Sequence, residues 1–262
     1  MSHTASTPGS GDPAATPEPA GTGTAVTGAH GPEGCVSPST AAEVPGNAGH
    51  AENRSLRSQG ERFRARLQRP SSAEALQRRL IEQETRHLRE ALHRVEEDGS
   101  VAGAAALIVA ARRRFITGTG KSFAYASLLA TDLAAGLSNT TLIDGAVVRP
   151  LDILGEVRSS DVLVAVSMRR YRRDTVSFAE HFASEGGTVV GITDDPGAPL
   201  AATASETIVA TTDSASYADS PTAVAAVVHL LTTLTTASSK GARRRLAERD
   251  RISRTLDTYL EG

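Results

Sequence analysis

The sequence has no tryptophan, a single cysteine, only 3% aromatic residues and just two lysines among 28 basic residues. With Cys35 as the one thiol, neither an intrachain disulfide nor a thiolate metal cluster can form. No stretch reaches ~18 uninterrupted apolar residues, which argues against a membrane-spanning helix and for a soluble, cytoplasmic protein. The N-terminal region has no basic start followed by an apolar stretch, so neither a signal peptide nor a membrane anchor is expected there. The preference for arginine over lysine carries no weight alone, because genome composition produces it too.

What is present is unevenly spread. The first 50 residues hold 7 of the 12 prolines, 9 of the 23 glycines and four acidic residues, with no lysine or arginine. Such a segment has too little apolar surface to offset the entropy of ordering it, and residues 1–52 are expected to be a disordered tail. From Arg54 to Arg69 six arginines face one acid, Glu61, in a chain whose net charge is -2. A second basic run, "KGARRRLAERDR", lies in the expected C-terminal helix, residues 240–262. Either patch suits nucleic acid or an acidic partner, and either suits a solvated helix face.

Leu76, Leu80, Leu88, Leu92 and Val95 lie at helical spacings with charged residues between them. This predicts an amphipathic helix, with Ser72 as its N-cap and Gly99 as its stop. "SVAGAAALIVAAR" predicts a second, buried helix. Beyond it, short apolar runs alternate with helical stretches. Strands are expected at "RFITG", "TTLID", "DVLVAVS", "TVVGIT" and "ETIVAT", and helices near 121–137, 150–158, 174–186, 198–203 and along "SPTAVAAVVHLLTTLTTA". Strands rich in Val and Ile without polar alternation are buried on both faces. The expected fold class is α/β, a five-stranded parallel doubly wound sheet preceded by a helical extension. Ligands bind such sheets beyond the carboxyl ends of the strands.

Two of those loops carry chemistry. "FITGTGKSFA", residues 115–124, resembles a nucleotide loop, but G-x-x-x-x-G-K-[ST] requires glycine where Phe115 stands. The dinucleotide fingerprint fails at Phe123. What remains is a glycine turn, Gly118 to Gly120, into a helix whose first N–H groups suit an anion, with Thr119, Lys121 and Ser122 beside it. A plain strand-to-helix turn uses the same glycines. After the third strand, "SMRRYRRDT" passes from Ser167 through Arg169, Arg170, Tyr171, Arg172 and Arg173 to Thr175. Four guanidinium groups without compensation repel one another unless solvent or an anion screens them, and arginine suits bidentate phosphate contact.

Gly118, Gly120 and Ser122, then "DVLVAVS", then "GITDDPGAPLAATASETIVAT" in that order resemble a SIS (sugar isomerase) domain, and the loop "SMRRYRRDT" is similar to the version found in the RpiR family of transcription regulators. The similarity spans roughly residues 84–238, and the expected domain is 99–239, so the similarity begins in the helical segment ahead of it. It implies a flavodoxin-like sandwich, usually a homodimer, that binds a phosphorylated sugar or sugar acid. Carried over by position, Ser122, Ser167 and Thr175 become phosphate or hydroxyl ligands, and Gly118 and Gly120 admit the backbone. The enzyme pattern S-x-S-G-x-T is not kept, since Arg169 and Arg170 stand where it has Ser and Gly. Residues 53–98 form a basic helical segment in which 61–84 resembles the end of a helix-turn-helix, a remnant expected to bind DNA weakly at most. No cofactor or metal is expected. The leading expectation is a ligand-sensing regulator. The alternatives are a sugar-phosphate isomerase, with Glu180, His181 or His229 as base, and a binding protein without DNA contact.

Overall fold

The Val- and Ile-rich runs read as strands form one parallel sheet in a computed structural model of the chain, which describes residues 58–67 and 72–260. The tail assigned to 1–52 lies outside the described residues, as do Arg54, Arg57 and Arg69 of the basic cluster. The strands are β1 (Arg113–Gly118), β2 (Thr140–Leu142), β3 (Asp161–Val166), β4 (Thr188–Thr193) and β5 (Glu206–Val209). Their order is β2-β1-β3-β4-β5, with every neighbouring pair parallel. In chain order the helices are α1 (Gln59–Leu67), α2 (Ala73–Asp98), α3 (Ser100–Ala110), α4 (Lys121–Gly136), α5 (Pro150–Leu154), α6 (Arg173–Ser184), α7 (Thr222–Ser238) and α8 (Ala242–Thr255).

Every residue of β3 is buried, which is why its sequence shows no polar alternation. On one face α3, α4 and α7 bury Ile108, Leu129, Leu133, Val228 and Leu231 against Val162, Val164 and Val166. On the other, Phe178 and Phe182 of α6 pack with Phe115, Leu163 and Leu200. These three rings meet edge-on, with centroids 6.0 and 6.2 Å apart. The two 3.6-period faces and the apolar strands thus build both layers, as the sequence predicts.

Local signals hold at the ends of α2. The Ser72 Oγ accepts from the Ala75 N–H at 3.2 Å, and Gly99 ends the helix with φ 67°. Two expected helices are shorter or tighter. The one expected over 150–158 stops at Leu154, where Gly155 follows, and the one near 198–203 is a single 3-10 turn, Pro199–Ala202, started by a residue without an N–H.

Polar groups pin the amino-terminal edge of the sheet. The β1–β3 register sets Arg113 opposite Asp161, whose buried carboxylate receives Nε at 3.0 Å and Nη2 at 2.6 Å. Arg114 points the other way and donates to the Ile108, Val109 and Ser138 carbonyls, two of them in the last turn of α3. A cation there meets the negative end of the helix. No single helix among the described residues is long and apolar enough to cross a membrane, and α7 spends its apolar face on α3 and α4.

In this strand order the chain moves outward from β1 to β2 and in the opposite direction to β3. The crevice at that reversal lies between the carboxyl ends of β1 and β3.

Candidate functional site at the carboxyl ends of β1 and β3

The crevice is occupied by the two loops singled out in the sequence, which border a cavity of about 580 Å³. Nine of the ten expected site residues line it: Thr119, Gly120, Lys121, Ser122, Ser167, Arg169, Arg170, Tyr171 and Thr175. Gly118 lies outside the lining, and the structure gives it a packing role. A Cβ there would sit 2.7 Å from the Ser122 carbonyl oxygen and 3.2 Å from that of Val166, so the turn into α4 closes only on glycine. Gly120 has φ 61°, a conformation costly for other residues, and serves as the N-cap of α4.

The N-cap residues of α4 and α6, Gly120 and Arg172, make no side-chain capping bond, while in the first turn of α6 the Asp174 Oδ1 accepts from the Thr175 N–H at 2.9 Å. Both helices bring their N-terminal turns to the cavity, and the positive end of the α4 dipole meets it without a side-chain partner. The loops are also tied together. The Ser122 Oγ accepts from the Met168 N–H at 3.3 Å, and the Thr119 and Thr175 hydroxyls are 2.8 Å apart. The Ser167 backbone is held by the Ile192 carbonyl at 3.0 Å and by the Thr193 hydroxyl at 2.8 Å. Its own Oγ is buried without a partner.

The arginine loop differs from its expectation in one respect: its cations are not all uncompensated. Arg169 lies 3.5 Å from the Asp194 carboxylate and 3.4 Å from that of Asp195, and Arg172 lies 3.2 Å from that of Asp174. Among the described residues Arg170 and Arg173 make no ion pair, and Arg170 faces the cavity. The Asp194 and Asp195 carboxylates, 25 and 26 positions beyond Arg169 and just after β4, were not visible as partners until the sheet brought them alongside. Burial raises the Asp194 carboxyl above its ordinary range, with the Arg169 charge opposing it. Burial likewise pushes the Tyr171 phenol up to about 12, with the Asp194 charge adding to the shift.

Several lining residues escaped sequence reasoning: Arg62 from α1, Tyr125 from the second turn of α4, and Thr212 and Asp219 from the segment between β5 and α7. Tyr125 follows Lys121 by one helical turn, a spacing that points both to one side, and this was the one signal available. Its hydroxyl is buried without a partner, and burial, then the Asp219 charge, pushes it up to about 12. Lys121 donates through Nζ to the Asp219 carbonyl. The basic cluster is also partly turned inward: Arg62 is ion-paired with Asp219, and Arg66 donates to the Ser214 and Ser216 carbonyls.

In total five basic side chains and one acid, Asp219, line the cavity, together with two buried unpartnered hydroxyls. That set suits an oxygen-rich anion. No group of three metal-ligating side chains occurs among the described residues. Glu180, His181 and His229 are exposed on α6 and α7, away from the lining. A larger depression between α4 and α8, bordered by Arg244, Arg245 and Arg249, is open to solvent and has no buried unpartnered polar atom facing it.

Residues 107–236 match the family model for the SIS domain. No curated protein matches the sequence. Among solved structures, the sugar isomerase domain of an RpiR transcription factor from Sphaerobacter thermophilus is 27% identical, with a TM-score of 0.63 over 67% of this chain and 98% of that one. The Vibrio vulnificus NanR protein complexed with ManNAc-6P is 16% identical, with a TM-score of 0.56 over 67% of this chain and 69% of that one. A protein of E. coli CFT073 in complex with A5P is 16% identical, with a TM-score of 0.52 over 62% and 88% of the two chains. Strand order, the position of the cavity and the family match agree, and residues 107–236 of this chain belong to the SIS domain family.

Proposed function

We propose that the chain is an RpiR-like regulatory protein, or its effector-sensing part, that binds a phosphorylated sugar or sugar acid in the β1–β3 cavity without turning it over. The observation that carries this reading is the convergence of two helix N-termini, five basic side chains and the unpartnered Ser167 hydroxyl on one cavity. A phosphate monoester brings about two negative charges and three acceptor oxygens, which such donors satisfy. Support comes from the relatives: the RpiR factor of Sphaerobacter thermophilus carries this domain, and the two more distant proteins were solved with ManNAc-6P and A5P. A base within hydrogen-bond reach of a sugar carbon is what isomerisation requires. The positions of Glu180, His181 and His229 favour binding over that chemistry.

In this reading the functional unit is a homodimer and residues 53–98 are what is left of the DNA-binding side. A ligand bound only by the native state raises the melting temperature. A panel of sugar phosphates, including ManNAc-6P, A5P and 6-phosphogluconate, is expected to contain at least one that does so, and silence across the panel would remove the reading. Proton exchange at carbon in D₂O during incubation with the bound sugar phosphate would replace sensing with isomerisation. A specific-to-nonspecific DNA affinity ratio near one, measured across salt, would leave a sensor without an operator.

A further inference from the structure

The SIS match begins at residue 107, yet one wall of the cavity comes from far upstream. Arg62, in the middle of α1, is 7% exposed and lines the cavity beside Tyr125 and Asp219. One of its terminal nitrogens is paired with the Asp219 carboxylate. Its Nε is buried and donates to nothing. A buried guanidinium N–H without an acceptor is costly, and an Arg fork is satisfied by an acceptor that takes two of its donors at once. The Tyr125 hydroxyl, also buried and unpartnered, lines the same cavity. Two orphan polar groups on one cavity, from two different elements, suit a ligand rich in acceptor oxygens.

The attachment of α1 is specific as well. Arg66, one turn on, holds the Ser214 and Ser216 carbonyls, and Phe63 meets Tyr217 edge-on at 6.3 Å. Glu84 of α2 accepts from the Ser220 hydroxyl, and His87 Nδ1 lies 2.9 Å from the Asp213 carbonyl. The whole segment between β5 and α7 is thereby strapped to the two helices ahead of the domain, and Asp219 sits at its inner end, held by Arg62 and Lys121.

Resting on the sugar-phosphate reading of the cavity, we propose that Arg62 is a ligand-binding residue supplied from outside the SIS domain, and that occupancy of the cavity locks α1 onto it. The Arg62 Nε donates to a ligand oxygen, while Asp219 keeps the guanidinium in place. Because the contact joins ligand and helix, each strengthens the other's hold, and the coupling is reciprocal. Occupancy is thus communicated to the segment ahead of the domain through one side chain.

The test uses the full chain and the first of glucose 6-phosphate, ManNAc-6P, A5P or 6-phosphogluconate that raises its melting temperature. Arg62→Gln and Arg62→Lys, the second keeping the charge but not the fork, should each weaken binding of that compound by about tenfold or more in calorimetry. Arg64→Gln, on the exposed side of the same helix, should bind as the wild type does. In hydrogen exchange the compound should slow amide exchange across 59–67 in the wild type and not in Arg62→Gln, a response that loss of mere structural support would not create. If the wild type binds and both Arg62 variants bind equally well, the inference is wrong while the cavity assignment stands. Ligand binding that leaves exchange across 59–67 unchanged also overturns it. If no compound binds the wild type, the cavity assignment fails and this inference with it.

Discussion

The Thr119 and Thr175 hydroxyls lie 2.8 Å apart, joining the loop after β1 to the first turn of α6 across the point where the strand order reverses. Thr175 is 2% exposed, so its hydroxyl bond is shielded from water. Replacing it with the isosteric valine removes the bond while keeping the volume. Thr175→Val is expected to lower stability by about 1 kcal/mol, read from the denaturant midpoint at constant slope. An unchanged midpoint would show that the pair does not tie the two loops.

Ser167 presents the opposite case. Its Oγ is buried, 2% exposed as a residue, and unpartnered, so the ligand-free fold gains nothing from the hydroxyl. Ser167→Ala should leave stability unchanged or raise it by up to about 1 kcal/mol, and should reduce the melting shift given by a bound sugar phosphate. A clear loss of stability in the free protein would mean that the hydroxyl serves the fold instead.

Arg169 and Arg170 are neighbours with different environments. Removing the Arg169 side chain leaves the Asp194 carboxylate, 5% exposed, without its cation, and Arg169→Ala is expected to cost about 2 kcal/mol. Arg170 is exposed and makes no ion pair among the described residues, so Arg170→Ala should change stability by no more than about 0.5 kcal/mol. Both should weaken sugar-phosphate binding. Equal stability effects in the two variants would count against the Asp194 pairing.

Asp194 also sets a pH dependence. Its carboxyl is raised above the ordinary 3.8 by burial, with Arg169 pulling the other way. A carboxyl with a raised folded pKa contributes stability fully below its unfolded pKa and loses it as the pH climbs through the folded value. Relative to Asp194→Asn, the wild type should therefore lose stability from about pH 3.5 upward through the carboxylate range, in denaturation curves taken at successive pH values. A difference that stays flat, or that grows in favour of the wild type, would show that the Arg169 charge outweighs burial.

Much of the site could be read along the chain because the relevant signals are local. Gly118, Gly120 and Ser122 fall within five residues, and a glycine turn between an apolar strand and a helix announces itself by composition. The right-handed crossover rule for parallel strands narrows the strand order without fixing it, and β2-β1-β3-β4-β5 came from the tertiary structure. The reach of Arg62 and Asp219 left no such trace. They are 157 residues apart, and nothing in the pattern of α1 distinguishes Arg62 from the exposed Arg64. Asp194, Asp195 and Asp219 were likewise unremarkable acids until the fold set them beside arginines.

The sequence by itself determined the elements, because hydrophobic period and backbone chemistry act within a few residues: an all-apolar β3, the Ser72 cap, the glycine turn into α4. Only the tertiary structure decided which charges neutralise one another and which stay free to meet a ligand. Ion pairs and orphaned hydrogen-bond groups depend on distances between segments far apart in the chain, and burial multiplies the consequence of each distance. So the arginine-rich loop, which reads as an uncompensated cluster, is in the folded chain a partly neutralised wall with Arg170 open, and a helix that reads as a DNA-binding remnant contributes Arg62 to the β1–β3 cavity.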